Sequence, residues 1–283
     1  MKTYIIIPAY NEAEFIGETL RSLLNQTVLP SRIVVVNDRS TDDTAKIISS
    51  FTNKYEFISL VHTTSTIEGH APGSKVINAF NQGLSTLDND FDIICKFDAD
   101  LIFPPDYIET IIDQFEEDPT TGMAGGFCTL ERNGIWEPER LTGKDHIRGA
   151  LKAYRKECFF QIGKLKPNMG WDTVDELLAQ YHGWKIRTNQ QLLVKHLKPT
   201  GASYTAKAGI KQGEAFYRLR YGLFISLIAS AKLAFLKKDF TLFREYLSGY
   251  FKAHKQKQPF LVSEEEGRFI RKLRWRKMRE KLF

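Results

Sequence analysis

Two carboxylates separated by one residue, Asp98 and Asp100, close the apolar run Phe91-Asp92-Ile93-Ile94-Cys95-Lys96-Phe97. Ligands of α/β sheets bind beyond the carboxyl ends of the strands, so an apolar strand that stops in two acids presents both to an open crevice. Side chains i and i+2 of a strand point the same way. Their oxygens can therefore converge on one hard divalent cation, or on a diphosphate held through such a cation. By itself the Asp-x-Asp spacing equally suits a solvated turn after a strand, and its weight comes from the elements around it.

Those elements alternate. Thr3 to Pro8 is a β-branched run of strand length, followed by the polar loop Ala9-Tyr10-Asn11-Glu12 and by helical spacing in Phe15, Ile16, Thr19, Leu20, Leu23 and Leu24, up to Pro30. Ile33 to Val36 forms a second buried strand, closed by Asn37-Asp38-Arg39-Ser40-Thr41-Asp42-Asp43, where Ser40 and Asp43 have capping-box spacing ahead of a helix through Ile47 and Ile48. A third strand falls at Phe57 to Val61, and a loop from Thr63 to Gly73 opens a helix from Ser74 to about Leu87. Lys75, in the first turn of that helix, stands where a phosphate could be met, although Gly73-Ser74-Lys75 lacks the rest of a phosphate-binding loop. The first hundred residues thus read β-α-β-α-β-α-β, the pattern of a mostly parallel sheet flanked by helices, with the polar strand ends gathered on one edge.

Pro104-Pro105 stops the segment and starts a helix at Asp106. Strands are expected at Met123 to Leu130 and Ala150 to Arg155, then a short helix to Gly163 and a helix from the Trp171-Asp172 region to Gly183 with Val174, Leu177, Leu178 and Tyr181 on one side. Two short strands, Trp184 to Ile186 and Leu192 to Val194, follow, and His196 closes the second. Past Pro199 only helices are expected, which divides the chain into a body, 1–200, and a helical extension, 201–283.

Charge divides at the same place. Residues 201–283 hold 19 Lys/Arg against 7 Asp/Glu, or +12, and the rest of the chain holds 21 against 27, or −6. Basic tails favour anionic partners. The apolar stretch Leu223 to Leu236 is 14 residues long, short of the ~20 a spanning helix needs; it suits a buried or an interfacial helix. Arg268 to Phe283 carries eight Lys/Arg among Phe269, Ile270, Leu273, Trp275, Met278, Leu282 and Phe283, a composition able to lie on anionic lipid or to pack as a solvated helix on the body. Cys95, Cys128 and Cys158 lack metal-ligand spacing and suit packing in a reducing compartment. Met1-Lys2-Thr3 runs straight into a strand without a leader pattern, so a cytoplasmic protein is expected, with the tail as a peripheral attachment to the inner membrane face.

Three stretches, Ile7-Pro8-Ala9-Tyr10-Asn11-Glu12, Val36-Asn37-Asp38-Arg39-Ser40-Thr41-Asp42 and Asp98-Ala99-Asp100, occur in the order and approximate spacing of family 2 glycosyltransferases. The resemblance covers roughly residues 3–200 and implies the GT-A fold, with inverting transfer of a sugar from a nucleotide diphosphate sugar to a hydroxyl acceptor, usually with Mn²⁺ or Mg²⁺. It places Pro8, Ala9, Tyr10 and Glu12 at the nucleoside, Asp38 near the base, Asp98 at the ribose or donor sugar and Asp100 on the metal, with His196 on the metal or diphosphate. Carboxylates suit ribose hydroxyls and base N–H groups, which they accept from. The family's catalytic base lies at the start of a helix that runs to a glycine. Counting back from Gly183 puts Asp172 there, with Trp171 where the family commonly has Glu, while an alignment on the acid–leucine pattern favours Asp175 or Glu176. Asp172 is preferred as the residue at the helix entrance; Asp175 and Glu176 are expected to decorate an exposed helical face, and Trp171 to pack or to stack on an acceptor sugar.

The resemblance favours a uridine diphosphate sugar as donor and a glycan or lipid-linked acceptor of the cell surface or envelope, with no nucleic-acid partner. Two rivals are a nucleotidyltransferase, for which the N-terminal strand lacks a glycine-rich triphosphate loop, and a catalytically silent binding module on the same fold that uses its basic tail for nucleic acid or membrane.

Overall fold

A computed structural model describes residues 1–63, 73–139, 145–198 and 208–280. Most of the expected loop from Thr63 to Gly73, the boundary at residue 200 and the terminal Lys281, Leu282 and Phe283 lie outside the described residues.

Strands β1 (Thr3–Ala9) and β2 (Arg32–Asn37) alternate with helices α1 (Ile16–Leu24) and α2 (Thr44–Thr52), and β3 (Ile58–His62), α3 (Ser74–Ser85) and β4 (Ile93–Phe97) continue the series. Nearly every residue of β1, β2 and β4 is buried, as in a parallel sheet covered on both faces. α1 supplies one cover by burying Ile16, Leu20 and Leu23, a helical stripe that removes about 1.5–3 kcal/mol of apolar surface per side chain from water. The α2 entrance differs from the expected capping box. Its N-cap Asp43 makes no side-chain cap bond. Ser40 is used otherwise: its hydroxyl accepts from the Asn11 amide at 2.9 Å and its own amide donates to Asn37 Oδ1 at 3.1 Å, tying two site loops together.

The chain then adds β5 (Leu101–Ile102), α4 (Tyr107–Glu117), β6 (Thr121–Arg132), β7 (Ile135–Pro138), β8 (Leu151–Arg155), α5 (Lys156–Gln161), α6 (Trp171–Tyr181) and β9 (Lys185–His196). The sheet order is β3-β2-β1-β4-β8-β6-β9-β5, with β7 on β6. Pairing is parallel over β3-β2-β1-β4, as the alternation predicts, and becomes mixed beyond β4, where β8 runs antiparallel to both β4 and β6. The two short strands expected at 184–186 and 192–194 are one twelve-residue strand, β9, joined across a register irregularity opposite Gly125 and Phe127.

The extension holds α7 (Ala208–Arg218), α8 (Gly222–Leu236), α9 (Thr241–Lys255) and α10 (Glu264–Arg279). α9 falls where helices are expected, at a position that no N-terminal side-chain cap marks out. It crosses α7 at two glycines: a Cβ on Gly213 would overlap the carbonyl of Tyr246, and one on Gly249 the carbonyl of Ile210. α10 opens with a true capping box, Ser263 with Glu266. Its apolar residues turn inward, with Ile270 and Leu273 buried and Phe269 edge-on to Tyr181 of α6. Leu223, Phe224, Ile228, Phe235 and Leu236 of α8 remain exposed. No helix among the described residues is long and apolar enough to cross a membrane.

Candidate active site

Strand register brings the motif residues to one edge. Ala9 pairs with Asn37 across β1 and β2, and the Asp38 amide donates to the Ala9 carbonyl at 2.8 Å, so Pro8, Ala9 and Asp38 are neighbours. Asp38 Oδ1 accepts from Thr63 Oγ1 at 2.7 Å, while Tyr10 is exposed beside them. On the other side of β1 lies β4, whose end carries Asp98 and Asp100. Asp98 is anchored by its amide, which donates to the Ala150 carbonyl at 2.8 Å, and by an ion pair with Lys96.

His196 reaches this edge from almost a hundred residues away because it pairs with Leu101 in β9 and β5. Its Nε2 lies 3.3 Å from Asp100 Oδ2, and both side chains are buried. Burial depresses the imidazole, but contact with Asp100 and with Cys128 outweighs it and lifts the pKa to about 10. A protonated ring thus supplies the positive charge that the buried Asp100 requires, and a cation taking that place would have to displace the proton from Nε2. One donor atom each from Asp98, Asp100 and His196 falls within 4.8 Å of the others, a set of two carboxylates and one imidazole that fits a divalent ion. Cys128 and Glu139 lie within the same distance of His196, and Cys128 is buried, as a packing residue would be.

Glu12 joins the same edge. Burial raises its pKa, the nearby Asp100 and Asp98 add to the rise, and Lys198 opposes it from 2.8 Å. Lys75 sits in the first turn of α3, whose start leans on the segment before α6: Ser74 Oγ donates to the Pro167 carbonyl at 3.2 Å.

The acids of α6 separate into two kinds. Gly170, in the left-handed region at φ 74°, turns the chain into the helix, and Asp172 follows in its first turn with a side chain 35% exposed. Asp175 and Glu176, expected on an exposed face, are buried, 2% and 7% exposed at the side chain. Lys152 from β8 explains their burial: its Nζ donates to Asp175 Oδ1 at 2.8 Å and to Glu176 Oε1 at 3.1 Å, and also to the Asp172 carbonyl. Tyr154 donates to Asp175 Oδ2 at 2.5 Å. One ammonium cannot neutralise two buried carboxylates fully. Burial pushes Asp175 up to about 6, while Lys152 and His146 outweigh the same effect at Glu176 and hold it below its ordinary value. Trp171 packs rather than facing an open crevice; its buried ring has Lys96 at 5.4 Å and Lys152 at 5.7 Å.

The residues that sequence reasoning missed are Lys96, Lys152, Lys198 and His146. A lysine inside an apolar strand was a legible signal for Lys96, since such a charge needs a buried partner. His146 lay in no motif.

A mixed α/β sheet flanked by helices in this order is the GT-A class of folds. The mannosyltransferase PcManGT from Pyrobaculum calidifontis, recorded with GDP-Man and Mn²⁺, shares that fold with a TM-score of 0.61 over 91% of this chain and 88% of its own, at 18% identity. Residues 1–349 of S. aureus TarS, recorded with UDP-GlcNAc, match with a TM-score of 0.58 over 89% of this chain and 73% of theirs, at 16% identity. The chain belongs to glycosyl transferase family 2, whose model matches residues 4–166, more than half of its length. It is 38% identical over 101 residues to the probable glycosyltransferase YdaM of Bacillus subtilis (strain 168), which covers 35% of this chain and 23% of that one. It is 31% identical over 121 residues to the poly-beta-1,6-N-acetyl-D-glucosamine synthase of Staphylococcus aureus (strain COL), which covers 43% and 27%. The chain spans about a quarter of the length of these two curated relatives.

Proposed function

We propose that this chain transfers a sugar, with inversion, from a nucleotide diphosphate sugar to a hydroxyl of a glycan or lipid-linked acceptor, in synthesis of a surface or envelope polysaccharide. A uridine diphosphate sugar is the favoured donor. The observation that carries the reading is the convergence of Asp98, Asp100 and His196 within 4.8 Å at the strand edge that also holds Pro8, Ala9, Tyr10, Glu12 and Asp38. Family membership and neighbours recorded with GDP-Man and with UDP-GlcNAc support it.

In this reading residues 1–200 are the catalytic unit and 201–283 an extension. Pro8, Ala9, Tyr10, Glu12 and Asp38 receive the nucleoside, Asp98 the ribose or donor sugar, and Lys75 the diphosphate. Asp100 and His196 hold a divalent ion, Mn²⁺ or Mg²⁺, with the imidazole favouring Mn²⁺ over the harder, oxygen-preferring Mg²⁺. Such an ion, when bound, neutralises the departing diphosphate. Asp172 is the base: it is the most accessible acid of α6, half-buried, whereas Asp175 and Glu176 are buried and occupied by Lys152. It removes the acceptor proton as the hydroxyl oxygen attacks the anomeric carbon opposite the leaving group, and no covalent intermediate is required. The enzyme works at the cytoplasmic face of a membrane, attached peripherally through its basic helical extension.

A screen of nucleotide diphosphate sugars for Mn²⁺- or Mg²⁺-dependent thermal stabilisation, comparing the native chain with Asp100→Asn, tests the donor site. One donor should stabilise the native chain only with metal, and the variant should lose that response. If no donor gives a metal-linked shift, the silent binding module replaces this reading.

A further inference from the structure

His146 stands behind Asp172. Its Nδ1 lies 2.8 Å from Glu176 Oε2 and its Nε2 3.8 Å from Asp172 Oδ2. Residues 172 and 176 are one turn apart on the same face of α6, so the ring spans that turn with a carboxylate at each end. The two ends differ. Glu176 also accepts from the Ile147 amide at 2.9 Å and from Lys152 at 3.1 Å, whereas the Asp172 side chain is 35% exposed.

An ionised carboxylate only accepts hydrogen bonds, so the short contact with Glu176 puts a proton on Nδ1. In the neutral ring Nε2 then presents a lone pair to Asp172. At 3.8 Å the two atoms are too far apart for a hydrogen bond and must draw together before a proton can pass. A proton arriving on Asp172 has an acceptor facing it. The charged groups around the ring are Asp172 and Glu176 of α6, Lys152 of β8 and, beyond the neighbouring Asp145, Lys277 of α10, which pairs with Asp145 at 2.5 Å.

We infer that His146, oriented by Glu176, accepts from Asp172 the proton that Asp172 removes from the sugar acceptor. The inference rests on the reading of Asp172 as the base. In the balanced step the acceptor O–H bond breaks and its electron pair forms the new bond to the anomeric carbon. The pair of the broken carbon–oxygen bond leaves with the diphosphate, and the proton passes from Asp172 to His146 Nε2 and then to water after product leaves. His146 acts through Asp172 and is thus a positioning residue, in the manner of a carboxylate-oriented imidazole.

The tautomer is measurable without any donor. The full chain labelled with ¹⁵N-histidine, with His146→Gln used to assign its resonances, should show His146 protonated on Nδ1 and bare on Nε2 at about pH 8. A ring carrying a proton on Nε2 there overturns the inference. With the donor identified by the screen above, His146→Gln should lower kcat about 100-fold with donor KM unchanged. Asp172→Asn/His146→Gln should be no slower than Asp172→Asn, and free imidazole should restore part of the activity of His146→Ala. Unchanged kcat in His146→Gln, or losses that multiply in the double variant, overturn the inference. Wild-type kcat in Asp172→Asn would instead remove the base reading itself, an outcome to which the tautomer is indifferent. Melting curves of each variant separate these effects from failure to fold.

Discussion

Lys96 and Lys152 stand directly opposite one another across the antiparallel β4–β8 pair, both buried, and both within reach of the Trp171 indole, at 5.4 and 5.7 Å. Facing ammonium groups repel unless each has its own acid. Lys96 is held by Asp98 and by the Gly149 carbonyl at 3.0 Å, Lys152 by Asp175, Glu176 and the Asp172 carbonyl. The strand pair therefore links the acid at the proposed donor site to the first turn of the helix that bears the proposed base. Lys152→Met should cost about 3–5 kcal/mol in urea unfolding, because it leaves two carboxylates buried without their cation. Adding Asp175→Asn and Glu176→Gln should recover part of the loss. A cost below about 1 kcal/mol would mean that the cluster hydrates easily and does not anchor α6.

Asp175 gives the fold a specific pH dependence. Burial lifts its pKa from 3.8 to about 6, so the native state binds its proton more tightly than the unfolded chain does. Its contribution is therefore fully present below the unfolded value and is lost as pH rises through about 6. Comparison with Asp175→Asn isolates this titration from that of the other carboxylates. The stability advantage of the native chain over the variant should shrink by roughly 3 kcal/mol between about pH 4 and pH 7, at 1.36 kcal/mol per pKa unit. Parallel stability curves for the two proteins would contradict it.

At the α7–α9 crossing, packing and helix propensity predict opposite signs. Exchanging a helical glycine for alanine in isolation stabilises by about 1 kcal/mol. At Gly213 and Gly249 the added methyl would overlap a carbonyl of the facing helix. Gly213→Ala or Gly249→Ala should therefore lower Tm by roughly 3–10 °C. A raised Tm in either variant would show that the two helices can separate at little cost.

The peripheral membrane attachment proposed above should run through α8 rather than α10. Ile270 and Leu273 of α10 are buried, while Leu223, Phe224, Ile228, Phe235 and Leu236 of α8 are exposed with Lys232 among them. Flotation with vesicles containing anionic lipid should retain the native chain and lose Phe224→Ser/Phe235→Ser by about tenfold. Equal flotation of both would remove α8 from this role.

Local pattern alone determined much of this protein. The β-α alternation to Asp100, the delivery of Asp98 and Asp100 to a strand end, and the entry of Asp172 at a helix start all follow from alternation, breakers and helix signals within a few residues. Tertiary structure decided which polar groups are partners. Ser40 and Asp43 have capping-box spacing, yet Ser40 is taken by Asn11 from another loop. Asp175 and Glu176 belong to a helix that read as amphipathic, and their burial depends on Lys152, a strand residue more than twenty positions earlier. His196 meets Asp100 only because β9 returns beside β5, and His146 meets Glu176 only because α6 packs against the loop that carries it. The physical reason is that backbone preference and apolar periodicity act between near neighbours in the chain. A buried charge is tolerated only where a complementary group arrives in space, and the sheet order that brings it there is set by the whole core.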